Sequence, residues 1–222
     1  MYACQGISAG VSEVWMEAAK RKRLSRGRIL AAAVGIVDGE GLSSLTMRRL
    51  GAELGVEAMS IYNHVPNKDA LLDGMVEVIL KELEIPLDQT EWEERIRVGY
   101  RRFRSLAHRH PNVFPLLVSR PPKSPGGLWL FEAFLRTMKG AGFDSETAFH
   151  AFRVLTNYTF GYAMAEIRGF ALEPGEGGAG SLAVEDFPEI SKLAPMLDNV
   201  NHDTEFEFGL DLILAGLKEK LL

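Results

Sequence analysis

Cysteine is almost missing from this chain: Cys4 stands alone among 222 residues. A lone cysteine closes no intramolecular disulfide and builds no cysteine zinc cluster. No run of about 18 apolar residues occurs, so no membrane-spanning helix is expected. The opening stretch, MYACQGISAGVSEVWMEAAKRKRLSRG, carries its charges after its apolar residues and lacks a continuous apolar run, unlike a secretory signal. Together these features give the expectation of a soluble protein in the cytoplasm. Alternation with period two is absent over any useful length, which argues against strands. Gly-rich phosphate loops, H-x-x-x-H pairs and Ser or Cys nucleophile motifs are also missing, and His108, His110, His150 and His202 are scattered. That leaves little for an enzyme to work with.

What is present is a large apolar share, 46%, enough for a sizeable core. The net charge of −5 at first argues against a nucleic-acid partner. Its distribution argues the other way. Between residues 20 and 49 lie Lys20, Arg21, Lys22, Arg23, Arg26, Arg28, Arg48 and Arg49, against only Asp38 and Glu40. A basic head on an acidic body suits a DNA-binding module joined to a different domain. Taken alone, the KRKR run reads equally well as a solvated arm.

The periodicity predicts an all-α fold. Residues 1–24 read as an extension. Ser25 is placed to cap a first helix with Ile29, Ala33, Ile36 and Val37 on one face, ended by Gly39 and Gly41. Thr46 caps a short second helix with Met47, Leu50 and Leu54, which Gly55 stops. A third short helix runs to about Asn63, and Asn67 caps a fourth through Leu83. Pro86 marks the junction between a domain at 25–84 and one at 85–222. Beyond it, helices are expected at about 91–109, 111–118, 125–141, 144–171, 187–196 and 203–220. EPGEGGAGS, residues 173–181, reads as a loop.

Two short helices meeting at a glycine, with a third packed across them, form a helix-turn-helix. Leu45, Leu50, Leu54, Val56, Ile61 and Val65 would bury its joint. In this segment, LTMRRLGAELGVEAMSIYNHVPNKDALLDGM (45–75), the ordered set LT-x-R-x-L-x-x-x-LGV-x-x-x-x-IY-x-HV-x-NK-x-x-LL resembles the TetR family. Trp92, Phe103, Arg120-Pro121, Gly142-Phe143 and Phe208-Gly209-Leu210 extend the likeness, more loosely, toward the tetracycline-repressor subgroup.

The resemblance implies a dimeric repressor that binds palindromic operator DNA and is released by a small-molecule inducer. Thr46, Met47 and Arg48 would approach DNA from the second helix, with Arg48 reaching a guanine edge or a phosphate. Ala58, Met59 and Ser60 would open the recognition helix, Met59 and Ser60 facing base edges. Tyr62, Asn63, His64 and Lys68 would follow, with Tyr62, His64 and Lys68 on phosphates. Ala58 and Asn63 depart from the residues common at those positions, which leaves the operator sequence open.

In the body, a pocket between helices would hold a partly apolar or aromatic ligand. Its candidate lining is Phe103, His110, Phe114, Leu117 and Trp129 from the first half, and Phe134, Met138, Asn157, Tyr158 and Tyr162 from the second. No cofactor or metal is expected. The places that hold a magnesium-binding histidine and a drug-binding asparagine in tetracycline repressors carry Leu116 and Gly99 here, which implies a metal-independent ligand other than tetracycline. The dimer is expected to form through Phe206, Leu210, Ile213, Leu214 and Leu217 of the last helix and Phe149, Phe152, Thr156, Phe160 and Ala163 of the helix from 144. The same stripes could instead cover the monomer's own core. An activator, or an architectural protein using the same helix-turn-helix, is the competing reading.

Overall fold

The computed structural model describes residues 23–85, 91–120, 125–169, 187–197 and 200–221. Among them are ten α-helices, one 3-10 turn and no strand. The expected extension before Arg23 and the expected loop at 173–181 lie outside the described residues. By its contacts the chain divides into two units, one ending at Met75 and one beginning at Val76. This division falls inside a helix.

The first unit opens with α1 (Arg26–Glu40). Ser25 caps it by accepting the Arg28 N–H at 3.3 Å. Its apolar face buries Ile29, Leu30, Ala33, Val34, Ile36 and Val37. Gly41 ends it, and a 3-10 turn, Leu42–Ser44, leads to α2 (Met47–Leu54). Thr46 Oγ1 accepts the Arg49 N–H at 3.0 Å, which satisfies an orphan donor at the start of α2. Gly55 follows at φ 68°, ψ 36°, a left-handed conformation that costs a side chain about 1 kcal/mol or more. The turn then brings the backbone back over α2: a Cβ on Gly51 would lie 2.8 Å from the Val56 carbonyl oxygen. A small residue is therefore required where α2 meets α3 (Ala58–Tyr62). Leu45, Leu50, Leu54, Ile61 and Val65 are all buried at this joint, while Val56 is only half-buried.

Helix α4 (Lys68–Lys81) is started by Asn67, whose Oδ1 accepts the Ala70 N–H at 2.8 Å. It buries Leu71, Leu72 and Met75, and further along Val76, Ile79 and Leu80.

The second unit is a stack of helices around one core. Its long members are α5 (Trp92–Arg109), α7 (Pro125–Gly140), α8 (Ser145–Arg168) and α10 (His202–Lys218). The short ones are α6 (Leu116–Ser119) and α9 (Pro188–Leu197). The expected helix at 111–118 is mostly a turn. The His110 carbonyl accepts from both Val113 and Phe114, and the helix starts only at Leu116. Pro115 has no N–H to bond the Pro111 carbonyl, so a helix begun at 111 would be interrupted there.

Helix α8 packs on α5, α7 and α10. Ile96, Tyr100, Phe134, Met138, Leu155, Phe206, Leu210 and Leu214 fill the space between them. Arginines of α5 then stitch it to α10 and α8. Arg97 pairs with Glu207 (2.8 Å) and Asp211 (2.6 Å), and Arg101 with Glu207 (2.6 Å). Arg104 pairs with Asp203 (2.8 Å) and with the buried carboxylate of Glu166. The donating guanidiniums of Arg101 and Arg97 hold the Glu207 carboxyl below the usual carboxylate range.

The stripe expected at a dimer interface is a correction. Phe206, Leu210 and Leu214 are within 1% of fully buried inside one chain. Ile213 and Leu217 pack against the same core. Ala163 is also fully buried, and Phe152 packs on Phe131 and Phe134. Helix α10 carries two apolar faces, and the more regular one belongs to the monomer's core. Its other face leaves Phe208 and Leu212 in solvent at 64% and 60% exposure, and α8 exposes Val154 and Phe149.

Candidate nucleic-acid interface and ligand cavity

The helix-turn-helix sorts its two adjacent arginines by the helical period. Arg49 faces back along the unit and is tied to Glu40 at 2.6 Å and Glu53 at 2.8 Å. Those hydrogen bonds raise its pKa further above the ordinary guanidinium value. Arg48, 100° round the helix, is exposed and makes no ion pair or side-chain hydrogen bond to a described residue. Tyr62, His64 and Lys68 are likewise exposed and unpartnered among the described residues. Met59, at 74% exposure, is the most exposed large apolar side chain of the described chain.

The remaining expected contacts fall around them. Thr46 is exposed but its hydroxyl already caps α2. Met47, Ala58 and Ser60 are half-buried, and Asn63 is exposed. The buried partners of this surface, Leu50, Leu54, Ile61 and Val65, hold α2 and α3 in fixed relation. The result is a small rigid surface with free cations, free hydroxyls and an apolar tip. This is the donor set that phosphates and base edges require.

In the second unit, a cavity of about 570 Å³ opens between α5, α7 and α8 and the residues around Leu83. Its walls are dominated by rings. Phe131 lies 4.5 Å from Phe152 and Phe134 lies 5.4 Å from Phe152, centroid to centroid. Tyr100 meets Phe134 edge-on at 6.2 Å. Polar groups are few. The Tyr100 hydroxyl lies 3.1 Å from Thr156 Oγ1, and burial pushes its pKa up. Arg95, Arg102, Asn157, Thr137 and Glu84 complete the polar lining.

Of the residues nominated from sequence, Phe103, Leu117, Phe134 and Asn157 line this cavity. The other six do not. Phe114 is fully buried, stacked on Phe160 at 5.0 Å, and Met138 is fully buried in the core. Tyr158 donates its hydroxyl to the Phe206 carbonyl (3.0 Å), and Tyr162 donates to the His202 carbonyl (3.1 Å). Both rings thereby join α8 to α10. His110 faces Glu82 at 3.1 Å, and Trp129 is half-exposed. Apolar or aromatic character marked them all equally in the sequence. The wall residues Phe131, Phe152, Phe160 and Arg102 were missed; helical spacing was an available signal for Phe131, three residues before Phe134, and for Phe160, three after Asn157. Gly99 also lines the cavity, whereas Leu116 is buried.

Comparison with known proteins agrees with both halves. Residues 29–75 match the family described as bacterial regulatory proteins, tetR family. Residues 85–221 match the tetracyclin repressor-like C-terminal domain. The chain therefore belongs to the TetR family of bacterial transcriptional regulators. It is 30% identical over 209 residues to the HTH-type transcriptional repressor DrrR1 of Streptomyces coeruleorubidus, covering 88% of this chain and 77% of that one. It is 29% identical to the class A tetracycline repressor of transposon 1721 from Escherichia coli, over 90% of this chain and 93% of that one. Among solved structures, ActR of Streptomyces coelicolor in complex with actinorhodin superimposes with a TM-score of 0.76 at 30% identity, covering 90% and 99% of the two chains.

Proposed function

We propose that the protein is a ligand-responsive transcriptional repressor. It binds a palindromic operator as a dimer and is released when a small molecule occupies the cavity of the second unit. The observation that carries this reading is the pair of unspent sites. One is an exposed helix-turn-helix face whose Arg48, Tyr62, His64 and Lys68 have no partner among the described residues. The other is a ring-lined cavity of about 570 Å³. The named function of DrrR1 and the solved complexes of ActR with actinorhodin and (S)-DNPA support it.

Helix α4 supplies the coupling. Lys68 begins it and Leu80, near its end, lines the cavity together with Leu83 and Ile85. A ligand that pushes on Leu80 and Leu83 shifts the helix that carries Lys68, and the recognition helices lose their spacing of about 34–36 Å on the operator. The dimer forms through the solvent face of α10, with Phe208 and Leu212, together with exposed residues of α8 such as Val154. The ligand is metal-independent and is not tetracycline, because Gly99 and Leu116 offer no ligating atom where that drug's partners would stand. The protein acts in the cytoplasm and turns nothing over. Among the described residues, no helix is long and apolar enough to cross a membrane.

The test is reciprocal linkage. A compound found by its rise in melting temperature is titrated with and without operator. It must weaken operator binding by the same factor by which operator weakens its own binding. Saturation of the cavity with unchanged operator affinity would remove the ligand-release half of the proposal.

A further inference from the structure

Helix α5 is rich in arginine, and nearly all of those side chains are spoken for. Arg97 and Arg101 meet Glu207, Arg104 meets Glu166 and Asp203, and Arg109 meets Glu82 at 2.6 Å. Arg95 also has a partner within the molecule. Arg102 is the exception. It is half-buried, lines the cavity, and makes no ion pair or side-chain hydrogen bond to a described residue. Gly99, one turn before it, and Phe103, one turn beyond Gly99, line the same cavity, so its charge borders a wall of rings. Leaving a partly desolvated guanidinium without an anion is unfavourable, and an arginine that lacks an internal acid beside a cavity is suited to an acid brought by the ligand.

We propose that Arg102 holds an anionic group, a carboxylate or a sulfonate-like oxyanion, of an aromatic ligand whose rings lie against Tyr100, Phe131, Phe134 and Phe152. This rests on the cavity being the ligand site. Asn157, exposed and without a partner among the described residues, offers its amide to a second polar group of the same ligand. Glu84, the carboxylate that lines the cavity, is exposed to solvent and is not required for the anion.

The experiment uses two probes that share their rings and differ in charge: 1-anilinonaphthalene-8-sulfonate and neutral N-phenyl-1-naphthylamine. Both are titrated by fluorescence into the full chain and into Arg102→Gln, Glu84→Gln and Gly99→Leu. A Cβ at Gly99 meets nothing within 4 Å, so a leucine there projects into open space and keeps the helix. Arg102→Gln is expected to weaken the sulfonate probe at least tenfold and to change the neutral probe less than twofold. Glu84→Gln is expected to leave the sulfonate probe equal or tighter, and Gly99→Leu to abolish both. If Gly99→Leu blocks both probes while Arg102→Gln does not separate them, the anion assignment is overturned and the cavity stands. If Gly99→Leu leaves both bound, the probes are not in the cavity and the ligand-site reading itself fails.

Discussion

Replacing Arg48 by alanine separates DNA contact from folding more cleanly than any other change in the first unit. Its side chain is exposed and supports no described neighbour, so stability should hold within about 0.5 kcal/mol, as for surface positions in general. Its loss at the operator depends on what it touches. A bidentate grip on a guanine is worth about 1–3 kcal/mol, or about 5- to 140-fold in affinity per half-site. A phosphate contact instead weakens all sequences alike and lowers the slope of log K against log salt by about 0.9. Arg49→Ala is the internal control. That residue is held by Glu40 and Glu53, so its removal should lower the melting temperature slightly and leave operator affinity much closer to wild type. Fluorescence anisotropy at several fixed salt concentrations, with thermal melts of both variants, makes the comparison. If Arg48→Ala binds operator as tightly as the parent, or if Arg49→Ala is the more damaging of the two, the assignment of the DNA face is wrong.

Other changes test other joints. Gly51→Ala drives a Cβ toward the Val56 carbonyl oxygen at 2.8 Å, and should destabilise the first unit by about 1–3 kcal/mol in a denaturant titration. Leu212→Glu should give a monomer of unchanged helix content by sedimentation and circular dichroism. Leu210→Ala, two residues away but fully buried, should instead cost about 2–5 kcal/mol in stability. Glu207, whose folded pKa is depressed by Arg101 and Arg97, contributes stability above the ordinary carboxylate value near 4.5 that is lost as pH falls through its folded pKa. Glu207→Gln should therefore be less stable than the parent at neutral pH, with the gap closing below about pH 4.5 in matched melts.

The sequence was most legible where local chemistry decides. Ser25, Thr46 and Asn67 cap the helices they precede, and Gly55 stops the second helix as expected, in a left-handed turn. The outward set from Arg48 to Lys68 follows from which residues bury the joint, because a short helix with one apolar stripe has only one way to face. Helix α10 has no such restriction. Phe206 and Phe208, Leu210 and Leu212 are equally apolar, and only the packing of α5 and α8 decides which face is inside. The cavity suffered similarly. Nothing in composition distinguishes Phe152, on its wall, from Phe114, fully buried in the core. Arg102 was invisible because its distinction is the absence of a partner, and partners such as Glu207 lie more than a hundred residues away.

Selection of binding sites from random duplex DNA by the 222-residue chain, followed by footprinting of the winner, tests operator binding by a dimer most directly. A dimeric repressor of this kind selects a palindrome whose half-sites are centred about 10–10.5 base pairs or a small multiple apart, protected by two copies of the chain and lost with Arg48→Ala. Recovery of a single asymmetric site held by one copy, or coverage without sequence preference, would contradict it.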